Sequence, residues 1–156
     1  MGFQEKYEEY KQRQEAKRFF NQNNDYHLDT IDYVKLLLAG IAAGTVVSLL
    51  FDVIEMQLGM SFSIFYLFIG YAVAFVVLKL AKYGSVKTGV ICVISYLLGL
   101  WFGLAVLTAY FFYSFGTSIP VFYCLQTGLF GLIQSDLITY LFIFAGAFIT
   151  FSIGKD

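Results

Sequence analysis

Along most of this chain, apolar residues run on without the polar interruptions that would mark an amphipathic surface helix or a half-buried strand. Charge is absent from Leu36 to Phe51, from Met56 to Leu78, from Thr88 to Ser135 and from Leu137 to Gly154. Each run matches or, for the third, well exceeds the roughly 20 apolar residues that cross a hydrocarbon core of about 30 Å. The pattern predicts an all-α integral membrane protein. The expected architecture is a four-transmembrane-helix bundle with spans at 32–56, 62–82, 87–112 and 135–154, together forming a membrane domain over 32–154.

The connections differ in kind. Gly59 marks a tight turn after the first span, and Lys82-Tyr83-Gly84-Ser85 a tight turn after the second. The 48-residue run from Thr88 to Ser135 is long enough for two spans, but Gly116-Thr117-Ser118 followed by Pro120 reads as a loop ending at a helix start. Beyond it, Val121, Phe122, Leu125, Leu129, Leu132 and Ile133 share one helical arc, and Tyr123, Cys124, Thr127, Gly128, Gly131 and Gln134 the other. That division predicts an interfacial helix over 118–133, lying along the outer leaflet between spans three and four. A re-entrant segment is the competing reading.

Residues 1–31 are of another character. Phe3 to Phe20 contain neither Gly nor Pro, and pair Glu9 with Arg13 and Glu8 with Lys11 at helical spacing, which predicts an amphipathic helix. Phe3, Tyr7 and Tyr10 form an apolar stripe on it, a candidate docking face for a protein partner or the membrane surface. A solvated helix with no partner is the plainer alternative. The run Asn21-Gln22-Asn23-Asn24-Asp25 ends it, since these side chains compete for backbone hydrogen bonds. Thr30 is placed to cap the first span, with Asp32 in its first turn.

Composition sharpens this picture. At 59% apolar, 20% aromatic and a mean hydropathy of +0.72, the chain lies well above the ~45–50% apolar content of soluble domains. The net charge of −1 conceals a split, with six bases and seven acids in residues 1–35 against four of each in the rest. All ten Lys and Arg fall in parts that four spans would place on one side: the tail with Lys35, the connection with Lys79, Lys82 and Lys87, and Lys155. The positive-inside bias therefore predicts cytoplasmic N and C termini. The first thirty residues lack an apolar h-region, so the first span is expected to act as its own insertion signal. A tail that balances bases with acids argues against nucleic-acid binding.

Small residues recur four apart, Gly40 with Gly44 in the first span and Gly99 with Gly103 in the third. Such spacing lets helix backbones approach closely, within one chain or across a homo-oligomer. With Tyr66-Leu-Phe-Ile and Tyr140-Leu-Phe-Ile, the two pairs outline a weak parallel repeat of hairpins. The run Gly40 to Gly44, the stretch Phe68 to Val73, the glycine-bearing third span and Ser135-Asp-Leu-Ile-Thr-Tyr140 leading into Phe144-Ala-Gly-Ala-Phe148 together resemble a family of small bacterial four-span membrane proteins with no assigned function. The resemblance covers about 36–154 and implies a location in the bacterial cytoplasmic membrane. It implies no activity, and a soluble head of the zinc-ribbon kind is replaced here by a charged helix without Cys.

Chemistry-bearing residues are few. Asp52 and Glu55 lie i,i+3 at the outer end of the first span, and Asp136 opens the fourth span from the same side. As a group they are a candidate cation-attracting mouth or an oxygen-ligand site for a divalent ion. The alternative is structural. At about 1.5 Å per residue Asp52 lies about 25 Å from Lys35, near water, and Asp136 complements a helix N-terminus. Cys92 and Cys124 are too far apart in the topology to bridge. Cys124 is expected within reach of a membrane-impermeant thiol reagent. His27 is the single histidine and no phosphate loop or nucleophile cluster is present, so neither a metal site, a cofactor nor catalysis is expected. The favoured reading is a small membrane scaffold or accessory subunit. A channel or carrier for a cation or small solute, with Asp52, Glu55 and Asp136 as an acidic outer vestibule, is the alternative.

Overall fold

The computed structural model describes residues 8, 11, 12 and 30–155, and the chain divides into two units, 1–32 and 33–156. Of the predicted tail helix, Glu8, Lys11 and Gln12 are helical, while Phe3, Tyr7 and Tyr10 lie outside the described residues. From Thr30 onward the regular structure is helical throughout: α1 (Thr30–Leu58), α2 (Phe65–Ala81), α3 (Val86–Ser114), α4 (Val121–Ile133) and α5 (Leu137–Lys155). Three of them, α1, α3 and α5, are long and apolar enough to cross a membrane. The expected second span is shorter than predicted: α2 has 17 residues, about 25 Å at 1.5 Å per residue. At one end it is preceded by a tight turn in which the Phe65 and Tyr66 amides donate to the Phe62 and Ser63 carbonyls. At the other, Lys82 takes the left-handed conformation at φ 65° and donates its amide to the Leu78 carbonyl at 2.8 Å.

The other boundaries have equally local causes. α1 stops at Gly59, whose φ of +65° suits a residue without a Cβ. Ser85 caps α3 by accepting from the Thr88 amide at 3.1 Å. Pro120 precedes α4, its ring fixing φ at −59° and so ending the loop as predicted from the sequence.

Side chains are distributed inside out compared with a water-soluble protein. Leu38, Leu50, Phe68, Leu141 and Phe148 are each more than half exposed, whereas the buried positions of α5 are Gly146, Thr150 and Gly154. In water that arrangement would forfeit the hydrophobic term. In lipid, tails solvate the large residues and helices associate by close backbone packing instead. α1 runs parallel to α3, with Gly40 against Ser95, Gly44 against Gly99 and Ser48 against Gly103; a Cβ on Gly44 would lie 3.1 Å from the Gly99 Cα. α5 runs antiparallel to α3, with Gly154 against Gly89 and Cys92, and crosses α2 where Gly70 meets Gly146 and Thr150.

α4 folds back along α3. Tyr123 meets Phe112 edge-on, Gly128 packs on the Ala105 and Trp101 backbone, and the Trp101 indole donates to the Leu125 carbonyl at 2.8 Å. Cys124 and Gly128, of the small arc of α4, therefore face protein, and Val121, Phe122 and Ile133 point outward, each more than half exposed. This corrects the expectation for Cys124. Both thiols are free but buried, and Cys124, at 5% exposure, is closed off from any reagent by α4 packing on α3.

Candidate functional site

The predicted acids are brought to one end of the molecule, and each has its own local partners. Glu55 accepts the Phe62 amide at 2.6 Å across the turn from α1 to α2, beneath Phe51 stacked on Phe65 at 4.3 Å. Asp52 accepts the Ser48 hydroxyl at 3.3 Å, one helical turn back. Asp136 is exposed at the start of α5, which the Ser63 and Thr139 hydroxyls, 3.3 Å apart, tie to the start of α2. Among the described residues no group of three His, Cys, Asp or Glu side chains is disposed to hold a metal ion. Asp136 is thus at the same end as Asp52 and Glu55 but does not complete a cluster with them.

Glu55 is consequently a turn-closing residue. Glu55→Ala should destabilise the folded protein by about 1–2 kcal/mol, the range for a lost hydrogen bond to a charged group at a half-buried site. Glu55→Gln keeps an acceptor oxygen and should recover most of that. Asp136→Asn should leave stability unchanged. Denaturation midpoints in detergent micelles would check all three, and equal effects of the two Glu55 changes would remove the hydrogen bond from the account.

Deeper in the protein three hydroxyls bond to helix carbonyls. Thr45 donates to the Ile41 carbonyl at 2.8 Å, Ser95 to Leu37 at 3.2 Å and Thr150 to Gly146 at 2.6 Å. Tyr96 is the exception. It is fully buried, and its hydroxyl makes no hydrogen bond among the described residues. The position a Cβ on Gly146 would take is 2.5 Å from that hydroxyl and 2.8 Å from the Tyr66 carbonyl oxygen, so the absent side chain makes room for it. The Tyr66 carbonyl and the Tyr96 hydroxyl thus both border the space that Gly146 leaves open.

Sequence reasoning placed Gly40, Gly44, Gly99 and Gly103 as packing positions, and the structure sets all four in one seam, where Gly44 meets Gly99, Gly40 meets Ser95 and Gly103 meets Ser48. It missed Ser48 and Ser95, which extend the spacing of four on each side, and the series Gly146, Thr150, Gly154 on α5. That spacing was readable; Tyr96, one of twelve tyrosines, carried no local signal.

The fold so far defines an all-α protein with three helices of membrane-crossing length and composition. Neither a protein-family model, a curated protein nor a solved structure matches the chain.

Proposed function

We propose that this chain is a small integral membrane scaffold or accessory subunit that contacts partner proteins through its tail and its outward apolar faces. In this reading α1, α2, α3 and α5 are four spans. The basic end with both termini is cytoplasmic, in a bacterial cytoplasmic membrane as the family resemblance implies. The contacts of α4, spread along three turns of α3 from Phe112 to Trp101, favour a re-entrant helix over one lying flat at the interface, since a flat helix would meet α3 over one turn only.

The observation that carries the scaffold reading is the closure of the α1–α3 seam by backbone. Gly44 and Gly99 approach so closely that a Cβ on either would fall within 3.1 Å of the other's Cα, and the Thr45 and Ser95 hydroxyls beside them donate to helix carbonyls. The channel or carrier reading draws on one feature, the unpartnered Tyr96 hydroxyl in the interior.

The two separate experimentally. Deleting residues 3–20 should abolish co-purification of partner proteins while the rest of the chain still inserts, because the spans carry their own insertion signals. Asp52→Asn with Glu55→Gln and Asp136→Asn should leave partner capture intact. A flux through reconstituted protein that these three substitutions remove would establish the conduit. For topology, both native cysteines are buried, so single cysteines belong at exposed sites: Asp136→Cys should react with an impermeant reagent on intact cells and Lys82→Cys should not. The reverse pattern would invert the orientation.

A further inference from the structure

We propose that the basic end, formed by Lys79, Lys82, Lys87 and Lys155, binds the phosphate groups of anionic phospholipids in the facing leaflet. This rests on the membrane reading above. Lys79 and Lys82 close α2 and Lys87 opens α3. Lys155 is 68 residues beyond Lys87 in the sequence, yet the structure brings it to the same end: the Ser85 amide donates to the Gly154 carbonyl at 3.3 Å, and Gly154 packs on Gly89. All four side chains are exposed. None makes an ion pair among the described residues, and Asp52, Glu55 and Asp136 lie at the opposite end, while Asp32 stands in the first turn of α1.

The floor beneath them is closed, with Ala81, Thr88, Gly89 and Gly154 buried, so the ammonium groups are held at the surface. Directly beside the lysines, Leu80 and Val86 are 56% and 58% exposed. Bases bordered at once by exposed apolar residues fit a headgroup layer with its acyl chains below, because a lysine stem lies along the apolar surface while its charge reaches the phosphate. Two backbone amides at this turn are already engaged, so a small free anion has fewer donors to use. The Thr88 amide at the start of α3 is taken by the Ser85 hydroxyl, and the Ser85 amide by Gly154. Dispersed lysines instead match a plane of phosphates, where each contributes an attraction equivalent to about fivefold in association at low salt.

The test uses the full chain in phosphatidylcholine vesicles, with trace spin-labelled phosphatidylglycerol or spin-labelled phosphatidylcholine reporting the lipid held at the protein surface. Expected is a preference for phosphatidylglycerol of about fivefold or more that salt weakens and millimolar inorganic phosphate does not. The variant carrying Lys79→Gln, Lys82→Gln, Lys87→Gln and Lys155→Gln should approach equal association of the two lipids, although the tail retains its own bases. Its co-flotation with vesicles and its Trp101 emission serve as checks of insertion and folding. Equal association of the two lipids with the unaltered chain, or a preference that survives all four substitutions, overturns the inference alone. Competition by inorganic phosphate at equal strength overturns it in favour of a free-anion site. An unaltered chain that does not float with the vesicles overturns the membrane reading as well.

Discussion

Gly99→Leu should leave no folded monomer, and even Gly99→Ala should destabilise the protein by about 3 kcal/mol, the upper end for overpacking. A Cβ on Gly99 would lie 2.8 Å from the Gly44 Cα, 3.0 Å from the Gly44 carbonyl carbon and 3.2 Å from the Thr45 amide nitrogen. All three are backbone atoms, so relief requires moving α1 off α3 as a body, and that withdraws Ser48 from Gly103 and Gly40 from Ser95 as well. Gly131→Ala is the matched control. Its nearest neighbour is the tip of Leu104, at 3.8 Å, and the change should stay within about 0.5 kcal/mol. Unfolding in mixed micelles, followed by Trp101 emission and by sedimentation, reads both. If Gly99→Ala unfolds with Gly131→Ala, the close seam does not exist; if Gly99→Leu leaves an intact monomer that has lost self-association, the seam lies between chains.

Tyr96 divides into two opposite effects. Tyr96→Ala removes a ring that is fully buried and should cost about 3–5 kcal/mol through lost contacts and the cavity left behind. Tyr96→Phe removes only the unpartnered hydroxyl. Burying such a group without a hydrogen bond is unfavourable by about 1–3 kcal/mol, so the phenylalanine variant should equal or exceed the original protein in stability. Thermal midpoints of the two variants in one detergent make the comparison. A phenylalanine variant that loses more than about 1 kcal/mol would mean that the hydroxyl holds a bound water or solute, and the conduit reading would then gain a site between α2, α3 and α5.

Much of the architecture was legible because lipid-facing helices are written in uncharged length. The ends of α1, α3 and α5 fall within a few residues of the expected spans, and Pro120 and Gly116 marked the loop before α4. The expected second span overran because the uncharged stretch 62–64, with Phe62 and Ile64, read as span while its backbone forms a turn; hydropathy registers side chains and is blind to φ and ψ. Cys124 was misjudged because a cysteine in a connection looks exposed until α4 is packed on α3.

For the candidate site the sequence indicated which residues were chemically capable without indicating what they touch. Asp52 and Glu55 stood out as acids beside apolar runs, but their engagement by Ser48 and by the Phe62 amide depends on the turn between α1 and α2. Gly40, Gly44, Gly99 and Gly103 were evident as pairs, and their meeting across one seam was not.

By itself, then, the sequence determined that the chain is helical, where its long apolar helices run and that its bases fall at alternate connections, since these depend on local composition and on the solvation of each segment taken separately. Tertiary structure decided which helices adjoin, that Gly44 closes on Gly99, that both thiols and Tyr96 are buried, and that Lys155 joins Lys79, Lys82 and Lys87. These follow from backbone approach between residues far apart in the chain, and no periodicity within a single segment encodes the neighbour it will meet.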